Sequence, residues 1–294
     1  MAVVPLPLST ERAHRHAHAG AVRETRAPGS GALHFAKVRG TTVLTQAIAA
    51  SPLRLLHPKN SGSAAWVYAA TYGGGLLGGD AIALVVTVGP GASAMLSTQA
   101  STKVYRSDIR ASQRLHVHVA DESLLVSLPD PVTPFARSQY VQEQQIALAG
   151  GANLVAVDWM TAGRMSSGER WQFTSYASRT WLRRDGRVIL HDATLLTPED
   201  GDVADRLGRF NCLAWAVVIG PALRAAARHL AGALGEAPAP RRADLLISAA
   251  PLESDGVLLR IAGTSAQQVG AVLRQHLNFV PSLLGDDPWR IRCT

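Results

Sequence analysis

From Leu33 to about Ile219 the apolar residues recur in short β-branched or alternating stretches broken by turn residues. Thr42 to Ile48, Ala64 to Thr71, Ala81 to Val88, Leu115 to Val119, Leu154 to Trp159, Trp171 to Leu182 and Val188 to Ala193 each have the length and composition of a strand. Their density predicts a mainly β chain of largely antiparallel strands. Asp185-Gly186 stands between the last two, and both residues tolerate the positive φ of a tight hairpin turn.

Helical spacing appears only in the last third. Leu223, Ala227, Leu230 and Leu234 recur at helical intervals within 221–235, with Pro221 suited to the first turn and Gly235 to the stop. Thr264 or Ser265 can cap a second helix, near 265–278, whose apolar face is Val269, Val272, Leu273 and Leu277. Between them Leu245 to Ala249 and Val257 to Ile261 read as strands. The connector Glu236-Ala-Pro-Ala-Pro240 is too short to divide domains by itself. Residues 1–31 carry several Pro and Gly and little periodicity, which predicts a flexible arm followed by one β-rich domain over 32–294. No internal repeat is found.

Between two strand-like stretches lies Thr71-Tyr-Gly-Gly-Gly-Leu-Leu-Gly-Gly-Asp80, in which Gly73, Gly75 and Gly78 have G-x-G-x-x-G spacing. A dinucleotide site needs a helix after the glycines and an acid about 20 residues on. Here a β-branched stretch follows, and Ala94 to Gln99 contains no acid. The run therefore reads as a glycine-built connection between paired strands, with a nucleotide-binding enzyme as the alternative.

Composition narrows the class. The chain has 294 residues, 47% hydrophobic, enough for one large β domain or two smaller units. Only Cys212 and Cys293 are present, in no C-x-x-C pattern, which points to a reducing compartment without disulfide scaffold or zinc knuckle. The start lacks a secretory signal and no apolar run could span a bilayer, so the expectation is a cytoplasmic protein with no membrane partner. The net charge of +7 is scattered and aromatics make up 5%, which favours acidic protein partners over nucleic acid. So apolar a chain is expected to dimerise or aggregate without its partners.

Catalytic templates find no match. There is no G-x-S-x-G elbow and no H-E-x-x-H, and Asp121-Glu122, Glu199-Asp200 and Asp286-Asp287 are adjacent acids that an extended chain points apart. Three places could hold metal or a partner. His14, His16 and His18 alternate in the arm and can offer imidazoles to Ni²⁺, although a solvated basic tail is the preferred explanation for a terminal segment. His116 and His118 share one face of a strand and could meet one metal, or simply line a solvated face. Within Ser97 to Ser107, Thr98, Gln99 and Thr102 could line a polar passage while Lys103 and Arg106 meet acidic groups, or all could cover a solvent-facing strand.

Taken together, Gly74-Gly75-Leu76-Leu77-Gly78-Gly79-Asp80, Gly89-Pro90-Gly91-Ala92 and Thr98-Gln99-Ala100-Ser101-Thr102-Lys103-Val104-Tyr105-Arg106 resemble, in order and spacing, the urease accessory protein UreD (UreH) family. Pro129-Asp130-Pro131-Val132-Thr133-Pro134-Phe135 and the strand Gln139 to Gln145 continue the likeness. So do Asp158-Trp159, Gly163-Arg164 and Gly168-Glu169-Arg170-Trp171, whereas Pro288-Trp289-Arg290-Ile291 matches in kind but not in order. The resemblance implies a β-helix-like stack of strands and a non-enzymatic maturation factor for urease, a nickel enzyme. It also implies apo-urease, a helical UreF-type protein and a GTPase of UreG type as partners. An internal water-filled passage would carry transient Ni²⁺ with no tightly bound cofactor; an adaptor with no metal role is the alternative. On that reading Asp80, Glu169, His116 and His118 are candidate residues of the nickel passage, and Thr98, Gln99, Thr102, Lys103, Tyr105 and Arg106 line it or meet partners. The plainer reading, favoured slightly for each, has Asp80 capping its turn and Glu169 pairing with an arginine such as Arg164.

Overall fold

The structure, a computed structural model, describes residues 27–235, 242–253 and 255–290. Most of the expected N-terminal arm, with His14, His16 and His18, lies outside the described residues, as do the connector 236–240 and Cys293. Ser30 and Gly31, assigned to that arm by their composition, instead open the first strand.

The chain begins with β1 (Ser30–Val38), β2 (Thr41–Ala49) and β3 (Leu53–Leu56), then winds. β4 (Ala65–Thr71), β5 (Gly75–Leu76) and β6 (Ala81–Val88) make a first circuit. β7 (Ser93–Thr98), β8 (Thr102–Val104) and β9 (Ala111–Val119) make a second. β10 (Leu124–Leu128), β11 (Val132–Pro134) and β12 (Gln139–Leu148) make a third, and β13 (Asn153–Thr161) with β14 (Ser175–Arg184) a fourth. Successive circuits stack in parallel, β4-β7-β10-β13 in one sheet and β6-β9-β12-β14 in the other. The short strands β5, β8 and β11 form a third, narrow side. Ser93, Leu124 and Asn153 are neighbours in this stack although 31 and 29 residues apart, a repeat of structure with no repeat of sequence behind it.

Antiparallel strands close the ends. β1 pairs with β2, and β3 with β4. At the other end β15 (Arg187–Leu196) returns on β14, and β16 (Cys212–Ile219), β18 (Gly256–Gly263) and β17 (Leu245–Leu252) extend the second sheet from β13. The mainly β, β-helix-like stack expected of the sequence is present. Its pairing is mixed, though, not largely antiparallel, because in the middle each strand meets the strand one full circuit away. The glycine run is corrected too: it does not join paired strands but carries the chain from one sheet to the other. The Asp185-Gly186 turn is as expected, with φ of 49° and 80° between the paired Arg184 and Arg187.

Four helices occur among the described residues: α1 (Val203–Leu207), α2 (Arg224–Gly235), α3 (Ala266–His276) and α4 (Val280–Leu284). α2 and α3 are the two that periodicity predicts, and Ser265 is the cap, its hydroxyl accepting from the Gln268 amide at 3.2 Å. The five-residue helices are too short to show a period. The helices cover the outer face of the β16-β13 sheet with Ala227, Leu230, Val269, Leu273 and Leu284, so its central strands are buried on both faces and read as near-continuous apolar runs. The other sheet is covered on one side only, and β6 and β12 alternate buried and open residues accordingly.

Cys212 lies in the helix-side core, where burial pushes its thiol up to about 12. A group that hard to ionise is a poor nucleophile. Peptide mapping after maleimide treatment at mildly alkaline pH should leave Cys212 unmodified in the folded protein and modified in denaturant; labelling without denaturant would contradict the packing.

Candidate functional site

Strand β13 places Leu154, Ala156 and Met160 between the two sheets and Val155, Val157 and Trp159 toward the helices. Asp158 has the parity of the first set, so its carboxylate enters the space between the sheets, where it is 6% exposed. Opposite it, the buried face of β12 carries Tyr140, Gln142 and Gln144 among Ile146 and Leu148. Gln142 donates to Asp158 Oδ2 at 2.8 Å, Gln144 at 3.2 Å and the Ser178 hydroxyl at 3.3 Å. The Tyr140 hydroxyl lies 2.9 Å from Gln142 Oε1 and also touches Gln113. Gln113, Gln142 and Ser178 are register neighbours on β9, β12 and β14, so the polar row runs along the stack, crossing one circuit at each step.

These donors are all neutral. Burial drives the Asp158 carboxyl up to about 6, nearby Asp192 adds to the rise, and the hydrogen bonds from Gln142, Ser178 and the Trp159 backbone oppose it. Asp192, 5% exposed on β15, is paired with Arg260. Burial also raises the Tyr140 and Tyr176 hydroxyls well above their usual range, so both stay neutral donors.

Two cavities meet at Asp158. One, of about 180 Å³, is bounded by Gly74, Gly75, Thr98, Thr102, Gln142 and Gln144, and reaches from the glycine run into the space between the sheets. The other, of about 500 Å³, lies between the ends of the sheets, under Asp192 and Thr194 of β15 and Leu245 to Ser248 of β17. Each is far larger than the ~10–15 Å³ that admits one water. Among the described residues Asp158 alone borders both.

Of the residues singled out by sequence, the structure brings Thr98, Gln99 and Thr102 to the first cavity. The Thr98 hydroxyl donates to Asp130 at 3.1 Å and accepts from the Asp130 amide at 2.7 Å. Lys103, Tyr105 and Arg106 stand outside it, beside the glycine run, where the Tyr105 hydroxyl donates to Gly73 O at 3.2 Å. Asp80 borders neither cavity; its Oδ2 accepts from the Leu77 amide at 2.8 Å, which closes its own turn. Glu169 borders neither as well. It is held by Arg164, which keeps its carboxyl below the usual range, and by the Ala136 amide at 3.0 Å.

His116 and His118 also stand away from both cavities. Leu115 borders the first cavity and Val117 and Val119 fill the core on one face of β9, which turns the two histidines to the other. No three His, Cys, Asp or Glu side chains converge as a metal cage among the described residues. Sequence reasoning singled out none of Gln113, Gln142, Gln144, Ser178 or Asp192, and met Asp158 only within a motif.

The family motifs acquire a common place in this geometry. The glycine run, Thr98 to Arg106 and Pro129 to Phe135 contain β5, β8 and β11, and so lie over one another on the narrow side of the stack. Comparison with known proteins finds a matching family model, the UreD urease accessory protein, over residues 27–293. A urease accessory protein UreD of Sorangium cellulosum is 52% identical over 262 residues, covering 89% of this chain and 83% of the relative. One from Anaeromyxobacter sp. is 45% identical, covering 89% and 88%. The urease accessory protein D of Oryza sativa subsp. indica is 33% identical, covering 92% of this chain and 98% of its own.

Proposed function

The chain belongs to the UreD family of urease accessory proteins, and on that premise we propose that it is a non-catalytic cytoplasmic scaffold that conducts Ni²⁺ to apo-urease. It bridges apo-urease to the UreF-type protein and the UreG-type GTPase that delivers the ion. The observation that carries the reading is Asp158, a buried carboxylate with neutral partners that borders both cavities. A conduit must hold its cargo weakly, and hydroxyl, amide, carboxylate and water oxygens release a borderline ion more readily than thiolates or imidazoles. Thr98, Gln99, Thr102 and Asp130 present that chemistry in the first cavity, and Asp158 and Asp192 in the second. At neutral pH an Asp158 carboxyl titrating at about 6 is mostly ionised, so a passing cation supplies the counter-charge that the neutral donors lack.

The glycine run does not favour the nucleotide reading, since strand β6 follows it where a phosphate site needs a helix. The test is a purified system of apo-urease, the UreF-type protein, the UreG-type GTPase, GTP and Ni²⁺, with this chain added or withheld. Nickel bound to urease, measured by atomic absorption, should rise severalfold with the chain present. Equal loading in both arms would remove the conduit role, and turnover of a substrate by the chain alone would remove the non-catalytic one.

A further inference from the structure

The narrow side of the stack carries a patch that the interior route leaves unexplained. Leu77 is 62% exposed and Ile109 is 64% exposed, the two most exposed large aliphatic side chains among the described residues. They belong together, because a methyl placed on Gly79 would lie 3.7 Å from the Ile109 side chain and one on Gly78 would strike the Ile109 carbonyl. Tyr72, 57% exposed, opens the same glycine run. The surface is stiff: Leu76, Val104 and Val132 anchor it from beneath, and the Leu77 turn is closed by Asp80.

Its surroundings are basic. Arg54 stacks on the Tyr72 ring at 4.8 Å, and Lys103 pairs through its backbone with Gly75. Arg106 and Arg110 flank the Ile109 turn, the Arg110 carbonyl accepts from the Gly79 amide, and the Arg137 carbonyl accepts from the Ser107 amide. Nearby acids are fewer: Asp80, which accepts from the Leu77 amide, and exposed Asp108 beside Ile109, against Arg54, Lys103, Arg106, Arg110 and Arg137. An apolar centre in a net positive surround is the anatomy of a protein interface whose partner carries net negative charge.

We infer that this glycine-built face docks the acidic surface of a folded protein partner, which seats an apolar side chain between Leu77 and Ile109 and its carboxylates on the surrounding arginines and Lys103. Phosphate polymers would gain nothing from the aliphatic centre. Gly74 and Thr102, in the same turn and strand as this face, line the first cavity, so the docked partner stands beside it.

The choice of probes rests on the scaffold reading: purified UreF-type protein and purified apo-urease, titrated separately against the full chain by biolayer interferometry. One of them is expected to bind the wild type, to lose at least tenfold in affinity to Leu77→Asp, to Ile109→Asp and to the double change Lys103→Glu with Arg106→Glu, and to weaken in about 1 M salt, where the screening length is ~3 Å. These side chains are exposed, so circular dichroism of each variant should match the wild type. Unchanged affinity of all three variants for a protein that binds the wild type would overturn the docking face and leave the scaffold standing. Wild type that binds neither protein would sink both. Binding of duplex DNA, anionic vesicles or a second copy of this chain that is lost in the same variants would assign the face to a different occupant and overturn the inference.

Discussion

Asp158→Asn is expected to leave urease short of nickel by about tenfold or more while making the protein harder to unfold. The two effects have one cause. A carboxylate among neutral donors attracts a passing cation; asparagine keeps its size and a carbonyl acceptor but removes the charge, and a unit charge pair at about 4 Å is worth ~4 kcal/mol at an effective dielectric of ~20. The same charge is a burden to the folded state. Its carboxyl titrates at about 6 when folded, against 3.8 for the free group. Between those values the folded chain holds more protons than the unfolded one, so stability falls as pH rises through the window. Asparagine abolishes that fall, and above pH ~6 it should gain about 3 kcal/mol, less any loss in hydrogen bonding. Denaturant unfolding on the acid and the alkaline side of the window, beside nickel analysis of urease matured with the variant, checks both halves. Normal nickel loading would remove Asp158 from the route; a variant less stable than wild type at alkaline pH would refute its burden.

The second large effect is predicted for the glycine run, and it separates its members. A methyl on Gly78 would lie 1.8 Å from the Ser107 hydroxyl, 2.6 Å from its Cβ and 2.9 Å from the Ile109 carbonyl. Gly78→Ala should therefore cost about 3 kcal/mol. Gly73 and Gly74 have φ of 83° and 69° but nothing within 4 Å of a methyl, so alanine at either pays only the backbone strain, about 1–2 kcal/mol. Ser107→Gly added to Gly78→Ala removes two of the three clashes and should recover about 1 kcal/mol in a double-mutant cycle. Equal losses at Gly73, Gly74 and Gly78 would show that conformational freedom alone, not close approach, explains the run.

These positions also show how much the chain reveals unaided. Strands were legible wherever one face is wet, as in β6, and the Asp185-Gly186 hairpin was legible because its turn chemistry is local. The parallel stacking was not, since each partner lies a circuit away and no short motif marks it. His116 and His118 could have been placed outward from Leu115, Val117 and Val119, which alternate with them on one strand. Gln142 and Gln144 carried a quieter signal: two amides on the same parity as Tyr140, Ile146 and Leu148, the face that must be buried. Asp158 sits alone in Asn153-Leu-Val-Ala-Val-Asp-Trp-Met-Thr161, and a lone acid in an apolar strand is either a defect or a purpose. Its role needed the second sheet to be in place.

The winding of the backbone has a consequence for how this molecule can vary. Adjacent turns of the coil are separated by about 4.8 Å, so its reach grows in whole steps. Lengthening a surface loop leaves that reach untouched, whereas gaining or losing one complete turn shifts the two ends by a fixed increment and would put anything handed from end to end out of alignment by the same amount.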